Sequence, residues 1–155
     1  MQEIKNEKSA RAIIKILRDL GADDVYVTAL CANIAVETGG SFSWTTRQKG
    51  RDLPAYGLFQ FDPRGGLYWL YQEYLKWFEL KDSAEAQCLM MMDILSLSWP
   101  QGVKHVGRGN VLKVQRAAEM SAVEATKAFS DHILRPGKPH MERRLAAAEE
   151  VAKLL

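Results

Sequence analysis

Cysteine, histidine and proline are all rare in this chain, with two, three and five copies. Cys31 and Cys88 both lie in strongly apolar helical windows, which points to two buried thiols rather than a disulfide. Cys31 as a nucleophile would need a histidine partner, and His105, His132 and His140 fall in loops or late helices without a cysteine-protease signature. The same three histidines form no H-E-x-x-H pattern, which weighs against a zinc amidase or endopeptidase. They are expected to be surface or capping residues, and no metal or other cofactor is expected. No run approaches the ~18 apolar residues of a membrane span, so membrane insertion is not expected. The first residues, Met-Gln-Glu-Ile-Lys-Asn-Glu-Lys, offer neither an apolar core nor a small-residue cleavage site, so no export signal is expected.

Linkers and internal repeats are also lacking. The 155 residues suit one domain, residues 1–155, with a sizeable core. The formal charge is +2, yet residues 101–155 hold ten Lys/Arg against six Asp/Glu. That mild basic bias favours approach to an anionic polymer but falls short of the basic stripe of a nucleic-acid binder, and scattered solvated cations are its plainest account. The loop expected over Pro100 to Asn110 contains Gly107-Arg108-Gly109, but it has neither the strand nor the Lys-Ser/Thr of a phosphate loop.

What is present is a carboxylate in an apolar setting. Val25 to Val36 is apolar on nearly every side, which suits a central buried helix, and Glu37 ends it before Gly39-Gly40. Leu30 and Ile34 lie seven and three positions earlier and share a helical face with Glu37. Burial there favours the protonated acid, and the helix's C-terminal carbonyls push the same way. A carboxylic acid kept protonated near neutral pH is suited to general acid work. The alternative is a surface glutamate satisfied by water or a lysine. Phe42, Trp44, Tyr56, Phe59 and Phe61 then place five aromatics within twenty residues, able to stack on sugar rings or to fill a core.

The remaining pattern is helical. Ser9 is read as the cap of a helix running to Leu20 and stopped by Gly21, and Asp23 opens the central helix. Leu67, Leu70, Tyr71, Tyr74 and Phe78 recur at helical spacing, with Trp69 and Trp77 widening that face. Asp82 and Glu85 have capping-box spacing before a methionine-rich helix ending near Pro100, and Ser121 with Glu124 starts another that reaches Leu134. A final alanine-rich helix covers His140 to Leu155.

Glu-Thr-Gly-Gly-Ser-Phe at 37–42 and Tyr-Gly-Leu-Phe-Gln-Phe-Asp at 56–62 resemble the paired signature of lysozyme-like peptidoglycan hydrolases, most closely the phage tail lysozyme family. Ala-Thr-Lys-Ala-Phe at 125–129, Leu-Arg-Pro-Gly-Lys-Pro at 134–139 and Arg143-Arg144 are similar to that family's closing segment. The resemblance implies a mainly helical, lysozyme-like α+β domain with a central buried helix and a small β element beside a saccharide cleft. It implies Glu37 as catalytic acid, with Tyr56, Gly57, Phe59 and Gln60 as substrate-binding residues on a cleft strand. Alternation along such a strand puts Tyr56, Leu58, Gln60 and Asp62 on one face. Glycoside hydrolysis usually uses a second carboxylate, and Asp62 and Asp52 are the candidates by similarity of spacing to goose-type lysozymes. Each also has a plain reading, Asp62 as a turn opener before Pro63 and Asp52 as part of a polar loop. A lytic transglycosylase route, using the sugar's own groups, is open as well, as is a non-catalytic wall-binding module of the same shape. The implied partners are bacterial peptidoglycan and other phage tail or virion proteins. The implied location is the virion, or the host cytoplasm before delivery to the wall. The basic run Arg47 to Arg51 matches no family motif and is expected to be a lid or a docking surface.

Overall fold

A helix that is apolar all round has no surface to spare for water, and here it becomes the axis of the molecule. In the computed structural model, which describes residues 2–155, α2 (Asp24–Glu37) has every residue from Val27 to Ala35 buried. Asp23 caps it by accepting from the Tyr26 amide at 2.9 Å. α2 packs chiefly against α8 (Met141–Ala152) and α7 (Ala122–Phe129), and also against α1 (Glu7–Asp19). Around this group lie α3 (Leu67–Trp77), α4 (Ala84–Leu95), α5 (Pro100–Val106) and α6 (Arg108–Met120). A π-helical turn, Ser130–Leu134, extends α7 and ends at Arg135 in the left-handed conformation, φ 51°.

Several boundaries differ from the sequence reading. Asn6, not Ser9, caps α1, accepting from the Ser9 amide at 3.0 Å. Ser83, not Asp82, caps α4, which stops at Leu95, and Pro100 takes the first helical position of α5, where its missing N–H costs nothing. The segment Pro100 to Asn110 is therefore α5 and the first turn of α6 rather than a loop. Gly102 inside α5 leaves room for the Trp99 ring, from which a methyl there would lie only 2.5 Å. Ser121 does cap α7, accepting from the Glu124 amide at 3.1 Å.

The expected small β element is not seen: no strand occurs among the described residues, and two isolated antiparallel bridges, Arg47 with Tyr56 and Tyr56 with Phe61, stand in its place. The chain cannot run extended through 56–61, because Gly57 and Gln60 both have positive φ, 86° and 49°. Tyr56 and Phe61 instead exchange both backbone hydrogen bonds, at 3.0 and 2.8 Å, closing a tight turn. Alternation fails with it, and Leu58, Phe59 and Phe61 all enter the core. That core joins them to Leu30, Ile34, Tyr71, Met90, Met91 and Phe129.

Candidate functional site

The acid is placed by how α2 ends. The Gly40 amide donates to the Ala35 carbonyl at 2.7 Å and the Gly39 amide to Val36 at 3.3 Å, the paired bonds of a Schellman stop. Gly39 takes the left-handed position, φ 61°. Gly40 is excluded from bearing a side chain, since a methyl would collide with the Glu3 carbonyl of the N-terminal segment that packs on it. Glu37 is thus the last helical residue, with its side chain only 15% exposed.

Its partner is Arg144, one of the largest fully buried side chains, 1% exposed. Arg144 Nη2 donates to Glu37 Oε2 at 3.1 Å, Nη1 to Asn33 Oδ1 at 2.8 Å, and Nε to the Pro139 carbonyl at 2.6 Å. Asn33 in turn donates to the carbonyls of Ala29 and Thr126, tying α2 to α7. Burial raises the Glu37 carboxyl above its ordinary pKa, opposed by the charge and hydrogen bond of Arg144 and by His140, so the net direction is toward the protonated acid.

Glu37 opens on a cavity of about 990 Å³. Its lining combines apolar side chains, Val36, Phe59, Leu67 and Ile133, with Gln60, Asp62, Arg51 and the polar groups found between His132 and His140. Asp62 is held by arginines: its Oδ1 lies 3.2 Å from Arg64 Nε and accepts from the Arg64 amide at 2.9 Å, and its Oδ2 lies 3.8 Å from Arg51. Asp52 is exposed and does not line the cavity. Phe59 and Gln60 line it, and Gln60 Nε2 donates to the carbonyls of Thr46 and Gly57 at 3.1 and 2.9 Å.

Tyr56 and Gly57 do not line the cavity. Tyr56 is buried, with its hydroxyl donating to Asp82 Oδ2 and the Arg47 guanidinium 4.6 Å above its ring. Tyr71 donates to the other Asp82 oxygen, and burial followed by that carboxylate pushes both phenols far above their ordinary pKa. Gln87 spans the same site: its Oε1 accepts from the Leu58 amide at 2.8 Å and its Nε2 donates to the Trp44 carbonyl at 3.0 Å and to Asp82 at 3.1 Å. A methyl on Gly57 would lie 2.6 Å from Gln87 Oε1, so the close approach that requires glycine is made by this amide.

Of the five clustered aromatics, Phe42, Tyr56, Phe59 and Phe61 belong to the core, and Trp44 alone is exposed. On α3, Tyr71 and Tyr74 are buried while Trp69 and Trp77 face solvent, 58% and 71% exposed, so they do not widen the inner stripe. Within the basic run, Arg47 lies over the Tyr56 ring and Arg51 donates to Gln48 Oε1 at 2.7 Å. Both thiols are free and buried, and burial raises Cys31 well above its ordinary value and Cys88 to about 12, which suppresses the nucleophilic thiolate.

Sequence reasoning missed Arg144 and the cavity role of the histidines. The signal for Arg144 was present: Arg144, Ala147, Ala148 and Val151 follow the inner stripe of α8, which places a guanidinium where only a buried partner would satisfy it. His105, His132 and His140 all line the cavity, and nothing in their spacing along the chain foretells that convergence.

Residues 8–155, nearly the whole chain, match the family described as phage tail lysozyme. The chain belongs to that family and is a lysozyme-like peptidoglycan hydrolase. Neither the curated proteins nor the solved structures hold a match to it.

Proposed function

We propose that the protein is a muramidase that cuts the β-1,4 bond between N-acetylmuramic acid and N-acetylglucosamine, with Glu37 protonating the leaving oxygen. The observation that carries this reading is a mostly buried carboxyl lining the cavity, its pKa raised by that burial, while Arg144 fixes its direction. The cavity volume, about 990 Å³, is at the upper end of the range for binding clefts and accommodates several sugar rings' worth of contact. Asp62 is the second carboxylate of choice because it lines the same cavity, whereas Asp52 does not. Phe59 and Gln60 contribute to the saccharide surface, with Tyr56 and Gly57 supporting it. Delivery with a phage tail fits the family to which the chain belongs.

Asp62 is already engaged by two arginines, 3.2 Å from Arg64 and 3.8 Å from Arg51, which leaves it less free to hold a water and gives a lytic transglycosylase route its own support. Product analysis separates the two. Digestion of purified sacculi is expected to release reducing muropeptides with the wild type and none with Glu37→Gln. Asp62→Asn is expected to slow release at least tenfold, and Asp52→Asn to leave it within twofold. Anhydro-muropeptides would transfer the protein to the transglycosylases, and undiminished release by Glu37→Gln would overturn the assignment of the acid.

A further inference from the structure

The cations of the cavity fall into two groups. Arg51, Arg143 and Arg144 each face a carboxylate, of Asp62, Glu3 and Glu37 respectively. Arg135 and Lys138 line the same cavity, and neither has a carboxylate within 4.0 Å among the described residues. Both sit on the turn between Leu134 and Met141, flanked in the cavity wall by His132 and His140.

That turn is held in an unusual shape. Its two ends, Arg135 and His140, are non-glycine residues with φ of 51° and 49°, a strained conformation that persists only where the surroundings impose it. The π-helical turn Ser130–Leu134 leads into it, an irregularity found often at functional sites. Arg144 clamps it from below through the Pro139 carbonyl at 2.6 Å. The guanidinium that orients the acid therefore also fixes the turn that carries the unpaired cations.

We propose that the segment 132–140 is an anion-recognition wall that binds carboxylates carried by the glycan, so that the cleft selects an anionic polysaccharide over a neutral one of the same linkage. The inference rests on the glycosidase reading of the cleft and names the chemical class of its substrate. The shared chemistry is a carboxylate, and two sources offer it: the lactyl ether on the sugar itself and the peptide attached to that ether. Arg135 and Lys138 have no protein counterion to surrender, so a ligand carboxylate gains their field without breaking an existing pair. The wall is solvent-facing, so its contribution is screened by salt.

The test measures binding and turnover separately. Three oligosaccharides of equal length serve as probes: neutral β-1,4 N-acetylglucosamine, an alternating glycan bearing only lactyl carboxylates, and the same glycan with its peptides. Binding is measured by calorimetry on the Glu37→Gln chain with and without Arg135→Gln and Lys138→Gln, and initial rates on the otherwise wild-type chain with the same pair. The charged probes are expected to bind at least tenfold more tightly than the neutral one at low salt, with that advantage lost in the double variant and reduced about tenfold by 0.5 M salt. In the rates, KM is expected to rise about tenfold while kcat stays within twofold. An advantage seen already with the lactyl-only glycan assigns the wall to the sugar's own acid, and one that needs the peptide assigns it to the peptide. Equal binding of charged and neutral probes, or an advantage untouched by the double variant, would overturn the proposal. A charge preference without turnover by any chain would sustain the wall and defeat the hydrolase reading. Lys138→Gln alone, at an exposed position outside any helix, supplies the same comparison at smaller amplitude should the double variant fold poorly.

Discussion

Glu37 and Arg144 share one buried site, and each makes the other tolerable. Burial raises the carboxyl's pKa and Arg144 lowers it, with burial the larger effect, so the net direction is upward while the guanidinium still fixes the carboxyl's position. A consequence for stability follows from linkage. Below the ordinary glutamate range both folded and unfolded chains carry the proton; as pH rises the unfolded chain releases it first, so folding stability declines until the folded carboxyl also ionises. Glu37→Gln, which imitates the protonated acid, is therefore expected to match the wild type at acid pH and to gain on it as pH rises through that window, measured by urea denaturation across a pH series. A wild type that gains stability relative to the variant on raising pH would show that Arg144, not burial, prevails. Arg144→Met strands Asn33 Oδ1, the Pro139 carbonyl and Glu37 together. Breaking a buried pair of this kind costs about 3–5 kcal/mol, and the same denaturation series measures it.

Elements were legible in the sequence wherever one periodicity governed them. The largely apolar run before Glu37 and its cap at Asp23 marked α2 nearly residue for residue, and the Ser121 cap marked the start of α7. The turn at 56–61 was not legible, because the resemblance implies a strand there while two positive-φ residues forbid one. What determines its shape lies at a distance in sequence: Gln87 and Asp82 reach the Leu58 amide, the Trp44 carbonyl and the Tyr56 hydroxyl from the start of α4. Asp82 itself reads as a helix cap by spacing, and only the fold shows that two phenols claim its oxygens. Asp82→Asn replaces one accepting oxygen by a donor, and each buried group so orphaned costs about 1–3 kcal/mol. Amide exchange should then accelerate at Gly57 and Leu58 while α2 remains protected; uniform acceleration through α2 would mean that the network holds the whole core rather than this wall of the cleft.

At the scale of the molecule, one cleft gathers contributions from both ends of the chain. The end of α2 supplies the acid, the 56–62 turn one wall, and the segment before α8 the other, with Arg144 joining the first to the last. The cavity histidines and unpaired cations come together only through this arrangement, which is why composition showed no more than a mild basic bias. The central claim is that burial at the close of an apolar helix makes Glu37 the proton donor. It is tested most directly by titrating the Glu37 carboxyl carbon by NMR in the folded wild type and comparing the midpoint with the alkaline limb of kcat/KM on sacculus fragments. The account predicts that the two midpoints coincide and lie above the ordinary glutamate range. A Glu37 that titrates within that range, or an alkaline limb unrelated to its midpoint, would contradict it.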